Sequence, residues 1–160
     1  VNDPKYLNFS PSRITLSTIG IVKMIKQMAD DDLKFNLAVS LHSANQNKRM
    51  LLVPATEGNP IDKLIDAIKY YHKKTLNRIT IEYVLIDEYN DNLDDAKQLS
   101  VFCRNFPVKI NLINYNPIID SVLKKSRQIK IKDFTDFLES RNIVVNFRRS
   151  RGTDINAACG

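Results

Sequence analysis

The chain is short of the residues from which common cofactor and metal sites are built: four glycines, two cysteines and two histidines in 160 residues. No glycine-rich turn follows any strand-like run. That disfavours a P-loop or a dinucleotide-binding sheet, whose phosphate cradles need backbone that approaches the ligand without a Cβ. Two Cys and two His scattered along the chain do not supply the closely spaced ligands of a zinc site. An all-protein iron–sulfur cluster needs three or four cysteines, so the chain's own residues supply neither metal centre. Cys103 and Cys159 lie far apart, which argues against a disulfide framework and for a reducing, cytoplasmic setting. No apolar run is long enough for a bilayer-spanning helix.

What is present is ordinary for a globular domain with a real core: 43% hydrophobic and 26% charged residues. The net charge of +6 and pI near 9.3 lean towards an acidic partner, of which nucleic acid is the commonest, although charge alone fits any basic soluble protein equally well. The first residue is Val1 rather than methionine, and about a dozen residues pass without periodicity before a strand pattern begins. A piece of a longer protein is expected.

Strand and helix patterns alternate. Arg13–Ser17, Phe35–Leu41, Ile79–Ile86, Val108–Ile113 and Ile143–Phe147 read as strands, being short, β-branched and apolar. Ile21–Ala29 has helical apolar spacing. Pro60 opens a helix over Ile61–Lys73 at a position where proline costs no hydrogen bond. Asn92 caps a helix running to Cys103, with Asp94 and Asp95 in its first turn, and Ile129–Ser140 forms the last helix. This order predicts an α/β fold with a parallel sheet and crossover helices, an arc of a (β/α) barrel whose first strands are missing.

In such folds chemistry gathers at the carboxyl ends of the strands. Those ends carry Ser17-Thr18-Ile19-Gly20, Ser40-Leu41-His42, Asp87-Glu88-Tyr89-Asn90-Asp91 and Asn114-Tyr115-Asn116-Pro117. Together they make a hydrogen-bonding site for a polar small molecule. Singly each has a plainer reading. Ser17 and Ser40 suit turn caps, a lone histidine such as His42 is most often structural, His72 reads as surface, and Asn116-Pro117 is a turn signal. Glu82 interrupts an apolar strand and is expected to point into the barrel, where a carboxylate needs a partner. Cys103 reads as a small core residue. Cys159 stands between Ala158 and Gly160 behind a basic run, sterically open, and taken alone is either a nucleophile or an accident.

Taken in order, Arg13–Gly20 (RITLSTIG), Leu37–His42 (LAVSLH), Ile81–Ile86 (IEYVLI), Asn90-Asp91, Lys109–Ile113 (KINLI), Asn116-Pro117 and Arg151–Gly160 (RGTDINAACG) resemble the radical SAM methyltransferase family of RlmN and Cfr, and the run Arg148–Gly152 is closer to RlmN. The resemblance covers nearly the whole chain and implies its carboxyl-terminal portion. It implies a radical SAM partial barrel and an enzyme that methylates carbon-2 of an adenine in 23S rRNA and in tRNA. The implied cofactors are S-adenosylmethionine (SAM) and a 4Fe-4S cluster, and the electron donor is one such as flavodoxin. The Cys159 position takes a methyl group from one SAM molecule. A radical made from a second then draws that carbon onto the base, and another cysteine resolves the covalent link. Ser17, Ser40, Leu41, His42 and Asn116 match SAM-holding positions, and Arg148, Arg149 and Arg151 are expected on RNA phosphates.

Some positions depart from the family pattern. Asn114 stands where many members have proline, and Thr153 and Asn156 where aspartates are usual. The cluster's Cys-x3-Cys-x2-Cys motif, the Gly-Glu SAM motif and the resolving cysteine are not among these residues. The chain alone is therefore expected to be inactive. It divides into a lead-in over 1–12, partial barrel over 13–147, and a basic, reactive-cysteine tail over 148–160. Lys124, Lys125, Arg127, Lys130 and Lys132 form a further basic cluster that serves RNA and solvated helix surface about equally well as a reading. Rival readings are a barrel enzyme acting on a small molecule and a non-catalytic RNA-binding module.

Overall fold

The computed structural model describes residues 10–117 and 121–148. The expected cysteine tail, including Arg149, Arg151 and Cys159, lies outside them. Five strands, β1 (Thr15–Thr18), β2 (Asn36–Ser40), β3 (Ile79–Leu85), β4 (Val108–Asn114) and β5 (Val144–Arg148), form one sheet in the order β1-β2-β3-β4-β5. Every neighbouring pair is parallel. The connections carry α1 (Val22–Asp30), α2 (Gln46–Leu52), α3 (Ile61–Thr75), α4 (Leu93–Cys103) and α5 (Gln128–Glu139). Sequential parallel order without a switch in direction is the order of a (β/α) barrel wall.

The expected elements are present, with ends shifted by one or two residues. β1 starts at Thr15 rather than Arg13, α5 spans Gln128–Glu139 rather than Ile129–Ser140, and β5 runs to Arg148 rather than Phe147. Arg148 is thus the last residue of the sheet, not the first of the tail. The short helix α2 was not foreseen.

Parallel strands are normally apolar on both faces because helices cover both. β4 instead alternates: Ile110, Leu112 and Asn114 are buried, while Lys109, Asn111 and Ile113 are half-buried. Register extends that alternation across the sheet. One face carries Leu37, Val39, Ile79, Ile81, Tyr83, Leu85, Ile110 and Leu112, which join Ile25, Leu64, Ile68, Tyr71, Leu99, Phe102, Phe134 and Leu138 of the helices in one core. The opposite face carries Ser17, Ala38, Thr80 and Lys109 in one row and Ser40, Glu82, Asn111 and Asn146 in the next. Burial of the apolar side chains on the helical face, each contributing about 1.5–3 kcal/mol, anchors the sheet and leaves the other face polar.

Local features fix the helices. Asn92 caps α4, its Oδ1 accepting from Asp94 N at 2.9 Å and Asp95 N at 3.0 Å, as the sequence predicts. Asn45 caps α2 through Lys48 N at 3.1 Å. His72, read from the sequence as surface, is half-buried, and its Nδ1 lies 2.9 Å from the Asn77 carbonyl just past the end of α3.

Candidate cofactor site at the carboxyl edge

Because all five strands are parallel, their carboxyl ends share one edge, and the loops Ile19–Ile21, Leu41–Asn45 and 86–92 and the segment after Asn114 rise from it. Ser17 lies one residue from the end of β1, exposed on the polar face, and Ser40 ends β2, half-buried on the same face. Neither caps a turn: among the described residues neither hydroxyl has a hydrogen-bond partner, and the turn at Gly20 is instead held by Thr18 Oγ1, which accepts from Gly20 N at 3.0 Å. Leu41 is fully buried in the helical layer; its N–H donates to the Glu82 carbonyl at 3.0 Å and its carbonyl accepts from Ser43 N at 2.7 Å, which leaves a ligand only the second lone pair of that carbonyl. Asn116 is half-buried two residues beyond β4, and Arg148 is exposed at the end of β5.

His42 has φ +56° and follows β2 directly. Its Nδ1 accepts from Val84 N at 3.2 Å, which fixes the neutral tautomer with the proton on Nε2. Burial, with the Arg49 guanidinium adding to it, pushes the imidazole down to about 4, so the ring is neutral at physiological pH. A neutral Nε2–H at the strand edge is a hydrogen-bond donor rather than a charge.

Two residues outside the expected cofactor contacts hold this edge together. Asn90 is fully buried. Its Oδ1 accepts from Ile86 N at 2.8 Å, and its Nδ2 donates to the carbonyls of His42 at 2.7 Å and Val84 at 2.8 Å. It thereby ties the loop after β2 to the loop after β3. Arg49 of α2 is also fully buried and donates to the carbonyls of Ile19 at 2.7 Å and Asn59 at 3.0 Å. Its position inside Asn47-Lys48-Arg49 reads as a solvated charge run, and no sequence signal marks it otherwise. Asn90 had a signal, since the pair Asn90-Asp91 carries part of the family resemblance.

The acidic loop after β3 is met by two cations, one on α5 and one just before it. Lys130 Nζ contacts Asp87 at 3.1 Å, Glu88 at 3.0 Å and Asp91 at 3.1 Å, and Arg127 reaches Glu88 at 2.7 Å. Burial works against the Lys130 charge, but hydrogen bonds to those carboxylates outweigh it and hold its pKa above the ordinary lysine range. Lys132 pairs with Asp136. Of the five-residue basic cluster, then, Arg127, Lys130 and Lys132 are engaged within the fold, which favours the surface reading for them. Cys103 faces the helical core, and burial raises its thiol to about 12, so it is inert.

On the polar face Glu82 Oε1 accepts from Asn111 Nδ2 at 2.7 Å, the partner its sequence position called for, and Asn111 Oδ1 accepts from Asn146 Nδ2 at 3.3 Å. The other oxygen, Oε2, is buried without a partner among the described residues. Free hydroxyls, a neutral imidazole N–H, a carboxamide and a carboxylate oxygen suit a polar, uncharged portion of a ligand such as a nucleoside. They do not suit an iron–sulfur cluster, since the described residues bring no reactive thiol to this edge.

The fold and the polar carboxyl edge define the class, a (β/α) partial barrel of the radical SAM type. The structure superimposes with a TM-score of 0.93 on a radical SAM methyltransferase from Sphaerobacter thermophilus, 39% identical, covering 99% of this chain and 47% of that one. A domain of the pyruvate-formate lyase-activating enzyme from Bacteroides vulgatus shares the fold at TM-score 0.63 and 13% identity, covering 84% of this chain and 80% of that one. No family model matches the chain. In sequence it is 46% identical over all 160 residues to a probable dual-specificity RNA methyltransferase RlmN of Christiangramia forsetii, spanning 46% of that protein. It is 42% identical over 160 residues to the one so named from Thermotoga maritima, again spanning 46%. Over its whole length the chain is similar to these RlmN proteins, and it spans a little under half the length of the curated relatives it matches.

Proposed function

We propose that this chain is the part of a radical SAM RNA methyltransferase that holds SAM on one side and carries the methyl-accepting cysteine on the other. The full enzyme would methylate carbon-2 of an adenine in 23S rRNA and tRNA. The observation that carries the reading is the match along all 160 residues to proteins named dual-specificity RNA methyltransferase. When bound, SAM supplies an electrophilic methyl group and, once reduced, a carbon radical. The 4Fe-4S cluster that reduces it, fed by a donor such as flavodoxin, would be ligated by residues outside this chain. Without them the 160 residues alone are inactive.

Each residue then has a task its chemistry allows. Ser17 and Ser40 offer hydroxyls, His42 its Nε2–H, Asn116 its amide and Leu41 its backbone carbonyl to the cofactor. Asn90 and Arg49 hold the loops in place. Cys159 is the nucleophile. Adenine carbon-2 is itself electrophilic, so it cannot take a methyl by simple displacement, and a thiolate that accepts the methyl first supplies a tethered carbon for the radical step. Arg148, Arg149 and Arg151 precede the cysteine in sequence and bind RNA phosphates. The target base must leave its stack to reach the sulfur.

The test compares the full-length parent with its Cys159→Ala variant on both RNAs under anaerobic conditions. Wild type is expected to yield 2-methyladenosine, and the variant to yield none while binding RNA within about twofold of wild type. Product from the variant would remove Cys159 from the mechanism. RNA binding by wild type without product of any kind would favour a non-catalytic module.

A further inference from the structure

Glu82 stands apart from the residues discussed as cofactor contacts. It occupies the middle of β3 on the polar face, in register with Ser40 of β2 on one side and Asn111 of β4 on the other. Asn111 satisfies Oε1 at 2.7 Å, and Asn146 supports Asn111 in turn at 3.3 Å. Oε2 is buried yet has no donor among the described residues. A carboxylate oxygen withdrawn from water without a hydrogen bond destabilises a fold, so a fold gains nothing by keeping it for its own sake. The orientation of the carboxylate is nonetheless fixed, by an amide chain reaching across two further strands. The neighbour in the row is Ser40, whose hydroxyl likewise has no partner among the described residues.

We infer that Glu82 is a binding residue for the ribose of SAM, its Oε2 accepting from a ribose hydroxyl beside Ser40. The assignment rests on the cofactor reading above and adds to it a residue and the part of the ligand it meets. Three donors on that cofactor could meet a carboxylate. The α-ammonium is flanked by the cofactor's own carboxylate, which Glu82 would repel. The adenine amine sits between ring nitrogens whose lone pairs also face outward. The vicinal ribose hydroxyls present two O–H donors with no competing negative charge, and carboxylate-to-ribose pairing is a recurrent solution in nucleotide sites. Asn111 then acts as a positioning residue, holding the carboxylate so that one oxygen faces the ligand.

The experiment uses the full-length parent and measures equilibrium binding of S-adenosylhomocysteine and of its 2′-deoxy and 3′-deoxy analogues, alongside the thermal midpoint without ligand. Wild type is expected to bind one deoxy analogue about tenfold to a hundredfold more weakly than the parent compound. Glu82→Leu is expected to lose a similar factor for S-adenosylhomocysteine and to stop distinguishing it from that analogue. Its unliganded midpoint should change little, because removal of the buried unpaired oxygen offsets the loss of the acceptor for Asn111 Nδ2. Glu82→Gln keeps the side chain's shape and should show a weaker version of the same loss, so the assignment stays testable if the Leu variant fails to fold. A lower midpoint with wild-type affinity and discrimination would make Glu82 structural and overturn the assignment. Wild type that binds S-adenosylhomocysteine but ignores the ribose hydroxyls would overturn it as well. Wild type that binds none of the three compounds would overturn the cofactor reading itself, and the assignment with it.

Discussion

At the scale of single residues, His42 shows how burial sets chemistry. Its Nδ1 is occupied by the Val84 amide, and Arg49 lies near enough to oppose a positive ring. The folded-state pKa, about 4, is below the ordinary histidine value of 6.5, so between those values the unfolded chain binds more protons than the folded one. The stability His42 contributes is therefore complete above about pH 6.5 and is lost as pH falls towards 4, by at most about 3 kcal/mol. The thermal midpoint of the full-length parent should fall over that window. A His42→Asn variant, whose side chain tolerates the positive φ, should fall less over the same window. Equal slopes in the two proteins would show that the ring is not the titrating group.

At the scale of elements, the connection from β1 to α1 is set by one buried cation. Arg49 donates to the Ile19 carbonyl, and Gly20 turns at φ +88° directly against it. A Cβ at Gly20 would lie 2.8 Å from Arg49 Nη2 and 3.1 Å from the Leu64 methyls, whereas one at Gly58, φ +77°, would meet nothing within 4 Å. Both substitutions carry the left-handed backbone cost of about 1–2 kcal/mol, but only Gly20→Ala adds overlap. Gly20→Ala should destabilise the parent by about 2–4 kcal/mol in a denaturant titration and Gly58→Ala by about 1–2. Equal losses would mean that Arg49 yields without cost. This junction was not legible in the sequence. α2 is only seven residues long and mixes polar and apolar side chains without a clear stripe, so its periodicity gives little signal, and a buried arginine looks like a solvated one until its carbonyl partners are known. β4 was legible for the opposite reason, since Val108–Asn114 writes its two faces as an alternation that only a half-covered strand needs.

At the scale of the whole molecule, the sheet separates two tasks. Its helical face holds the core, and its polar face and carboxyl edge gather Ser17, Ser40, Glu82, His42 and Asn116, drawn from β1 through the segment after β4. The strand order and this gathering followed from the alternation of patterns in the sequence. The placement of Cys159 did not, because residue order says nothing about where a tail beyond the last strand comes to rest, and the described residues end at Arg148. The central claim therefore rests on chemistry at that cysteine. Its most direct test is the mass of the Cys159 peptide from the full-length parent, purified from cells without oxygen. The account predicts a peptide heavier by one methylene unit, with the added methyl on sulfur. An unmodified Cys159 in protein that demonstrably binds both SAM and its cluster would contradict it and move the activity to another radical SAM chemistry.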